Sequence, residues 1–286
     1  AFINPKIQNI ILSKHISIWL KWSDEKLIER IQNTKRRPLA YKATNTELKN
    51  LIKSRSKFYS RALYKISCDN LSKSEIVNKS IKFYEAIAYY SHPQTTEILN
   101  LYRDNDLGKI KSIECNFGFK AKFKTSSRLF NKSLGGGSIF DLGCYPISFF
   151  MLFVENYEKI SITSKSLNYA ESGVDDEAEL ILNYDNKFEG KLNVSLKSDL
   201  ENICKITCKN GYIKINEPWL PKQKTNIEVS VKNHYFIKTI NSNLSVYANQ
   251  IQNVSESFIN QNKVSNLFDI EKSIVNMKII TKWLNN

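Results

Sequence analysis

Glycine is scarce in this chain, nine in 286 residues, and none occurs before Gly108. That absence excludes a G-x-G-x-x-G loop, and any looser glycine version of it, from the first hundred residues. Such loops need residues without a β-carbon where backbone closes on a phosphate. Cysteine is scattered: Cys68, Cys115, Cys144, Cys204 and Cys208 are odd in number and contain no C-x-x-C pair. No disulfide framework and no structural metal site is implied, and only three histidines are present to supply further ligands. Cys204 and Cys208 in "ICKITCKN" are expected on one face of a strand, as free buried thiols. No stretch of uninterrupted apolar residues reaches the length of a membrane span. The best candidate, "YPISFFMLFV", reads as a buried helix. The N-terminus shows no basic-then-apolar signal pattern with a cleavage site, so a soluble cytoplasmic protein is expected.

The net charge of +14 is carried by 35 lysines and only 7 arginines, spread along the chain. Base and phosphate recognition leans on arginine forks and concentrated basic faces. The densest basic run, "TKRRP" from Thr34 to Pro38, is too short to carry a site. Weak attraction to polyanions is expected, and no specific nucleic-acid function.

With 42% apolar and 12% aromatic residues, the chain can bury a sizeable core, and its length suits two domains. Residues 1–91 alternate helical and short apolar segments, as in an open α/β domain. "DEKLIERIQN" and "TELKNLIKSRS" carry Leu and Ile at helical spacing with early acidic residues. "NLSKSEIVNKSIKF" opens with a capping-box spacing, Ser72 to Glu75, and puts Val77 and Ile81 one turn apart. "FYEAIAYY" reads as a short buried strand. In residues 92–286 the character changes. Pro93 opens a helix, "PQTTEILNLYRD", and Ile113, Cys115, Phe117 and Phe119 then alternate on one strand face. Next come the glycine block and an apolar helix, Ser138 to Phe153. "DEAELILNYDNKFEGKLNVSLKSD" is a hairpin turning at Asp185-Asn186, and "ICKITCKNGYIKIN" a second with Asn210-Gly211 at the bend. Two further strands precede helices around Val246–Asn260 and Phe268–Leu284. This half is an open, mostly antiparallel sheet with helices on one face, an α+β domain.

The stretch "RLFNKSLGGGSIFDLGCYPISFF" concentrates three glycines ahead of a helix carrying Asp141 and Tyr145. A phosphate cradle is the poorer reading, because no G-K-[ST] follows. Two readings stand: a tightly packed turn with a satisfied buried Asp, or the wall of an active site. For the second, residues at i and i+4 share a helix face and address one substrate together. A tyrosine there exchanges a proton if a nearby cation lowers its pKa from about 10.

The order "EAIAYYSHPQ", helix, "GKIKSI", strand, "RLFNKSLGGGSIFDLGCYP", "VDDEAELILNYDNKFEGKLNVSL" resembles the Gfo/Idh/MocA oxidoreductases, from about Asp69 to the C-terminus. The resemblance implies a Rossmann domain, here shortened, over 1–91, and a substrate and dimerisation domain over 92–286. It implies an NAD- or NADP-dependent transfer of hydride between nicotinamide and a sugar-, polyol- or dihydrodiol-like alcohol or carbonyl. It places Asp141 and Tyr145 in the pocket as catalytic residues. Lys65, in "ALYKISCDN", matches the family's catalytic lysine, although Tyr64 and Ile66 stand where the family has an acid and a proline. Tyr89 and His92 fall on the "Y-x-x-HPQ" pattern and border the substrate; His92 before Pro93 equally suits a packed turn. Arg128 meets an anionic or polyol substrate or is a surface arginine. A small-molecule substrate, no metal and a homo-oligomer built through the C-terminal sheet complete the expectation. "SKHI", with His15, is the candidate remnant of the first Rossmann helix, with side chains where glycines belong. The distance to Lys65 is short by about one βα unit. A ligand-binding or assembly protein without redox chemistry, or the product of a damaged gene, is the alternative.

Overall fold

The computed structural model describes residues 4–14, 17–32, 43–73, 75–76, 83–259 and 266–285. His15, the run Thr34–Pro38, Val77 and Ile81 lie outside them. The chain divides into two compact units, residues 1–82 and 83–286.

The first unit contains α1 (Pro5–Lys14), β1 (Ile18–Lys21), α2 (Asp24–Gln32), α3 (Asn45–Tyr59) and β2 (Tyr64–Ser67). β1 and β2 pair in parallel, Trp19 opposite Lys65, which requires the helical crossover between them. α3 begins at a capping box: the Glu47 N–H donates to Thr44 Oγ1 and the Thr44 N–H to Glu47 Oε2. The capping box expected at Ser72 and Glu75 is also present, its two bonds 2.8 and 3.2 Å long. Ile28, Ile31 and Leu48 form a small apolar cluster of this unit.

The second unit is built on an eight-stranded sheet in the order β10-β9-β8-β7-β3-β6-β5-β4. Its strands are β3 (Ile110–Gly118), β4 (Ile160–Tyr169), β5 (Asp175–Tyr184), β6 (Phe188–Ser195), β7 (Cys204–Cys208), β8 (Gly211–Ile215), β9 (Lys224–Val231) and β10 (His234–Asn241). Neighbours run antiparallel except β3 and β6. The helices are α4 (Pro93–Asp104), α5 (Cys144–Met151), α6 (Val246–Ile259) and α7 (Ile270–Leu284). One sheet face buries Leu180, Leu182, Leu192, Val194, Ile206, Ile213 and Ile227 in a core shared with Phe149, Phe150, Met151 and Trp283. The other face is polar, with Lys191 3.0 Å from Glu179 and Asn193 2.8 Å from Asn116. The open α+β sheet read from the sequence is therefore the observed architecture. Cys204 and Cys208 are buried on one face, as expected.

Two local expectations are corrected. "FYEAIAYY" is buried but is not a strand: Tyr84 makes one isolated bridge to Asp269, and Ala88–Ser91 form a 3-10 turn. Five apolar residues in a row, Ala86 to Tyr90, suit a buried turn as well as a buried strand, and periodicity does not separate them. The second hairpin bends one residue early, at Lys209-Asn210, with Gly211 already paired to Cys208. At Asp185 and Asn186 the first hairpin turns as expected, both with positive φ, closed by the Lys187 N–H donating to the Tyr184 carbonyl.

Gly211 is demanded by close approach: a β-carbon there falls 1.8 Å from the Ser230 carbonyl oxygen. Gly211→Ala is expected to lower unfolding free energy by about 1–3 kcal/mol, read by urea denaturation. A midpoint equal to wild type contradicts this packing.

Candidate functional site

The glycine block is a turn fitted around a buried carboxylate. Gly135 and Gly137 have φ of 72° and 126°, open to glycine and strained for other residues. A β-carbon on Gly136 meets three backbone atoms of residues 128–131 at 2.8 Å, and one on Gly137 meets Asp175 Oδ1 at 2.3 Å. The glycines thus permit approach to the protein's own Asp175. Asp175 is 3% exposed, and its Oδ2 accepts from Ser138 Oγ and from the Ile139 N–H, both at 2.7 Å. The satisfied buried Asp is present, but it is Asp175 rather than Asp141.

The helix expected from Ser138 opens as a π-turn, Ile139–Gly143, and continues as α5. Such widened turns recur at functional sites. Asp141 lies in it, its N–H donating to the Gly137 carbonyl at 3.1 Å. The Asp141 side chain is 17% exposed, and Arg128 Nη1 lies 2.6 Å from its Oδ1. Asp141 Oδ2 makes no hydrogen bond to another described residue. The structure thus unites two residues that the sequence reading treated separately.

Tyr145 is half-buried in an aromatic wall. Its ring centroid lies 5.3 Å from Phe117, 6.2 Å from Trp219 and 6.4 Å from Tyr89. Trp219 stacks on Phe117 and is fixed by its indole N–H donating to the Asn116 carbonyl at 2.9 Å. The Tyr145 hydroxyl makes no hydrogen bond among the described residues. Burial pushes Tyr145 up to about 12, with smaller raising contributions from Cys144, Tyr247, Asp141 and Glu85. The expected cation that lowers this pKa is not found among the described residues of the second unit, and the shift runs the other way. Cys144, beside it, is likewise pushed up to about 12 by burial, then by Glu85 and Asp141.

Tyr89 and His92 stand behind this wall, both closed off from solvent. The Tyr89 hydroxyl is 2.7 Å from Ser148 Oγ, and burial raises its pKa well above the ordinary phenol. His92 Nδ1 accepts from the Gln94 N–H at 3.1 Å, capping α4, and burial lowers its pKa, leaving a neutral ring. Its Nε2 has no partner among the described residues. The packed-turn reading of His92 is the observed one. Lys65 sits in the first unit, exposed on β2.

Sequence reasoning missed Asp175, Ser138, Phe117 and Trp219 as parts of the site. Asp175 carried one signal, an acid opening an alternating strand ("VDDEAEL") and buried where solvent would suit it better. Trp219, in "EPWLP", carried none. Among the described residues no cluster of three or more His, Cys, Asp or Glu forms a metal site. Among them, too, no helix is long and apolar enough to cross a membrane.

Residues 95–214 match the model of the GFO/IDH/MocA C-terminal domain. The second unit is thus similar to the C-terminal domain of the Gfo/Idh/MocA proteins. The matched span contains Arg128, Asp141, Tyr145 and Asp175. Residues 1–85 match a different model, shikimate kinase. Among relatives, a trans-1,2-dihydrobenzene-1,2-diol dehydrogenase of Xenopus tropicalis is 32% identical over 50% of this chain and 42% of its own length. A D-xylose 1-dehydrogenase (NADP(+)) of Haloferax volcanii is 25% identical over 48% of this chain and 41% of its own. The match spans less than half the length of these curated relatives. A 3-ketoreductase of Actinomadura kijaniata, solved with NADP, shares the fold with TM-score 0.64 at 14% identity, over 76% of this chain and 69% of that one. An inositol dehydrogenase homologue of Azotobacter vinelandii, solved with NAD+, gives TM-score 0.58 at 11% identity, over 73% and 64%.

The raised Tyr145 pKa has a stability consequence. The folded state holds the phenol neutral above the unfolded value of about 10, so its contribution is complete below pH 10. That contribution is lost as pH rises from about 10 to about 12. Tyr145→Phe is expected to flatten the fall in denaturant midpoint across that window. An unchanged pH slope contradicts the assignment.

Proposed function

We propose that the second unit is the substrate-binding half of an NAD(P)-dependent oxidoreductase acting on sugar-, polyol- or dihydrodiol-like alcohols and their carbonyl forms. One observation carries this reading: an Arg128-paired carboxylate, Asp141, and a phenol with an unbonded hydroxyl, Tyr145, stand together within the matched family span. Asp141 Oδ2 accepts a substrate hydroxyl, and Arg128, 2.6 Å from Oδ1, orients the carboxylate. Tyr145, neutral at physiological pH, acts as a hydrogen-bond donor to the reacting oxygen. A phenol of raised pKa is poised to stabilise a developing alkoxide rather than to remove a proton, which suits carbonyl reduction. Phe117 and Trp219 limit water around that oxygen. Lys65 is proposed as the chain's catalytic lysine from its place in the motif. The polar outer sheet face suits a wet self-association surface.

The first unit does not fit a dinucleotide. The turn after β1 is Trp22-Ser23 rather than glycine, and α2 opens with Asp24 and Glu25. The Ser23 N–H, at the place where a pyrophosphate oxygen sits in such folds, donates to Asp69 Oδ1 at 2.7 Å. That bond holds the Asp69 carboxyl below its usual range. No step is therefore derived through a bound cofactor. The same mismatch, with the separate match of residues 1–85, favours a second reading: a chain that binds the substrate class without turning it over.

Titration with NADH and NADPH, followed by energy transfer from tryptophan to the reduced nicotinamide, separates these readings. No saturation up to about 1 mM in a protein that melts cooperatively is the result the mismatch of the first unit predicts, and it leaves only the binding reading. Saturable micromolar binding would show a cofactor gripped without glycines and would overturn the mismatch.

A further inference from the structure

We propose that Asp175 is a positioning residue for the Asp141–Tyr145 face, setting the π-turn that presents both side chains to a ligand. The inference rests on the substrate-binding reading above. Its geometry is an unbroken chain of contacts. Asp175 Oδ2 holds Ser138 Oγ and the Ile139 N–H at 2.7 Å each, at the first residues of the π-turn. Its Oδ1 lies 2.3 Å from where a β-carbon on residue 137 would sit, so glycine there admits the carboxylate. The carbonyl of Gly137 then receives the Asp141 N–H at 3.1 Å. Asp141 in turn carries Arg128 at 2.6 Å.

A buried carboxylate is costly unless its oxygens are bonded, and here the two donors on Oδ2 belong to the start of the turn. An α-helical first turn could form without this anchor. A π-turn is intrinsically rare and persists where surrounding contacts fix it. Asp175 thus converts its own burial into the register that separates Asp141 from Tyr145. Catalytic and binding groups tolerate misplacement poorly: about 1 Å can cost about a hundredfold. The anchor comes from β5, a strand of the central sheet, so the site inherits the rigidity of the core.

The test compares Asp175→Ala, Asp175→Asn and Ile213→Ala in the full chain. Asn keeps an acceptor oxygen in place of Oδ2; Ile213→Ala is a core control on β8 of the same sheet, a strand that does not pack on the turn. Fluorine NMR of 3-fluorotyrosine-labelled protein, with the Tyr145 resonance assigned by its loss in Tyr145→Phe, reads the position of the site directly. The resonance is expected to shift or broaden in Asp175→Ala, and to stay at the wild-type position in Asp175→Asn and Ile213→Ala. Calorimetry with D-xylose, myo-inositol and trans-1,2-cyclohexanediol is the second readout, with dissociation constants raised at least about tenfold by Asp175→Ala and restored by Asn. Equal spectral change in Asp175→Ala and Ile213→Ala, or none in Asp175→Ala, overturns the proposal. If wild type binds none of the three probes, the substrate-binding reading fails, and the fluorine spectra still decide the role of Asp175. If Asp175→Ala does not fold, Ser138→Ala removes one of the two donors, and an unmoved Tyr145 resonance in that variant overturns the proposal.

Discussion

The second unit is organised around one buried carboxylate. Asp175 is almost without solvent, and a charge so placed must be bonded where it lies. Its partners are Ser138 and Ile139, and its other oxygen presses on Gly137. From that contact follow the glycine at 137, the π-turn and the direction in which Asp141 reaches Arg128. The glycine block is therefore a device for bringing two protein segments together, a strand start and a helix start. The resulting surface carries Asp141 and Tyr145.

Around this anchor the chemistry is set by exclusion of water. Tyr145 leans on Phe117, Trp219 and Tyr89, and burial dominates its electrostatics. A phenol held neutral beside a carboxylate already paired with arginine makes a hydrogen-bonding pair with separate roles, one donating and one accepting. Such a pair suits an oxygen that changes between carbonyl and alcohol. Among the described residues of the first unit no comparable site stands out: the Ser23 N–H after β1 is engaged by Asp69.

The open sheet was legible because its strands alternate cleanly, with Ala178, Leu180, Leu182 and Tyr184 inward and the polar residues between them outward. Both helices at the C-terminus were legible from apolar residues at three- and four-residue spacing. Asp141, Tyr145 and Arg128 were found by spacing and by family pattern. Their pairing was not, because contact between residue 128 and residue 141 depends on a turn whose shape is fixed by residue 175. The direction of the Tyr145 shift was also hidden. It depends on burial, in a wall whose Trp219 is distant in sequence and marked by no periodicity. Gly211 was placed one residue into the bend, since Asn-Gly usually marks a turn centre, while here the glycine serves the Ser230 carbonyl on the next strand.

The most direct test of this account is calorimetric titration of wild type and Asp141→Ala with D-xylose, myo-inositol and trans-1,2-cyclohexanediol, without nicotinamide. The account predicts saturable binding of at least one of these probes to wild type, weakened at least about tenfold in a cooperatively folded Asp141→Ala. Equal affinity in the two proteins, or no binding to wild type, would contradict the claim that this face is a substrate site.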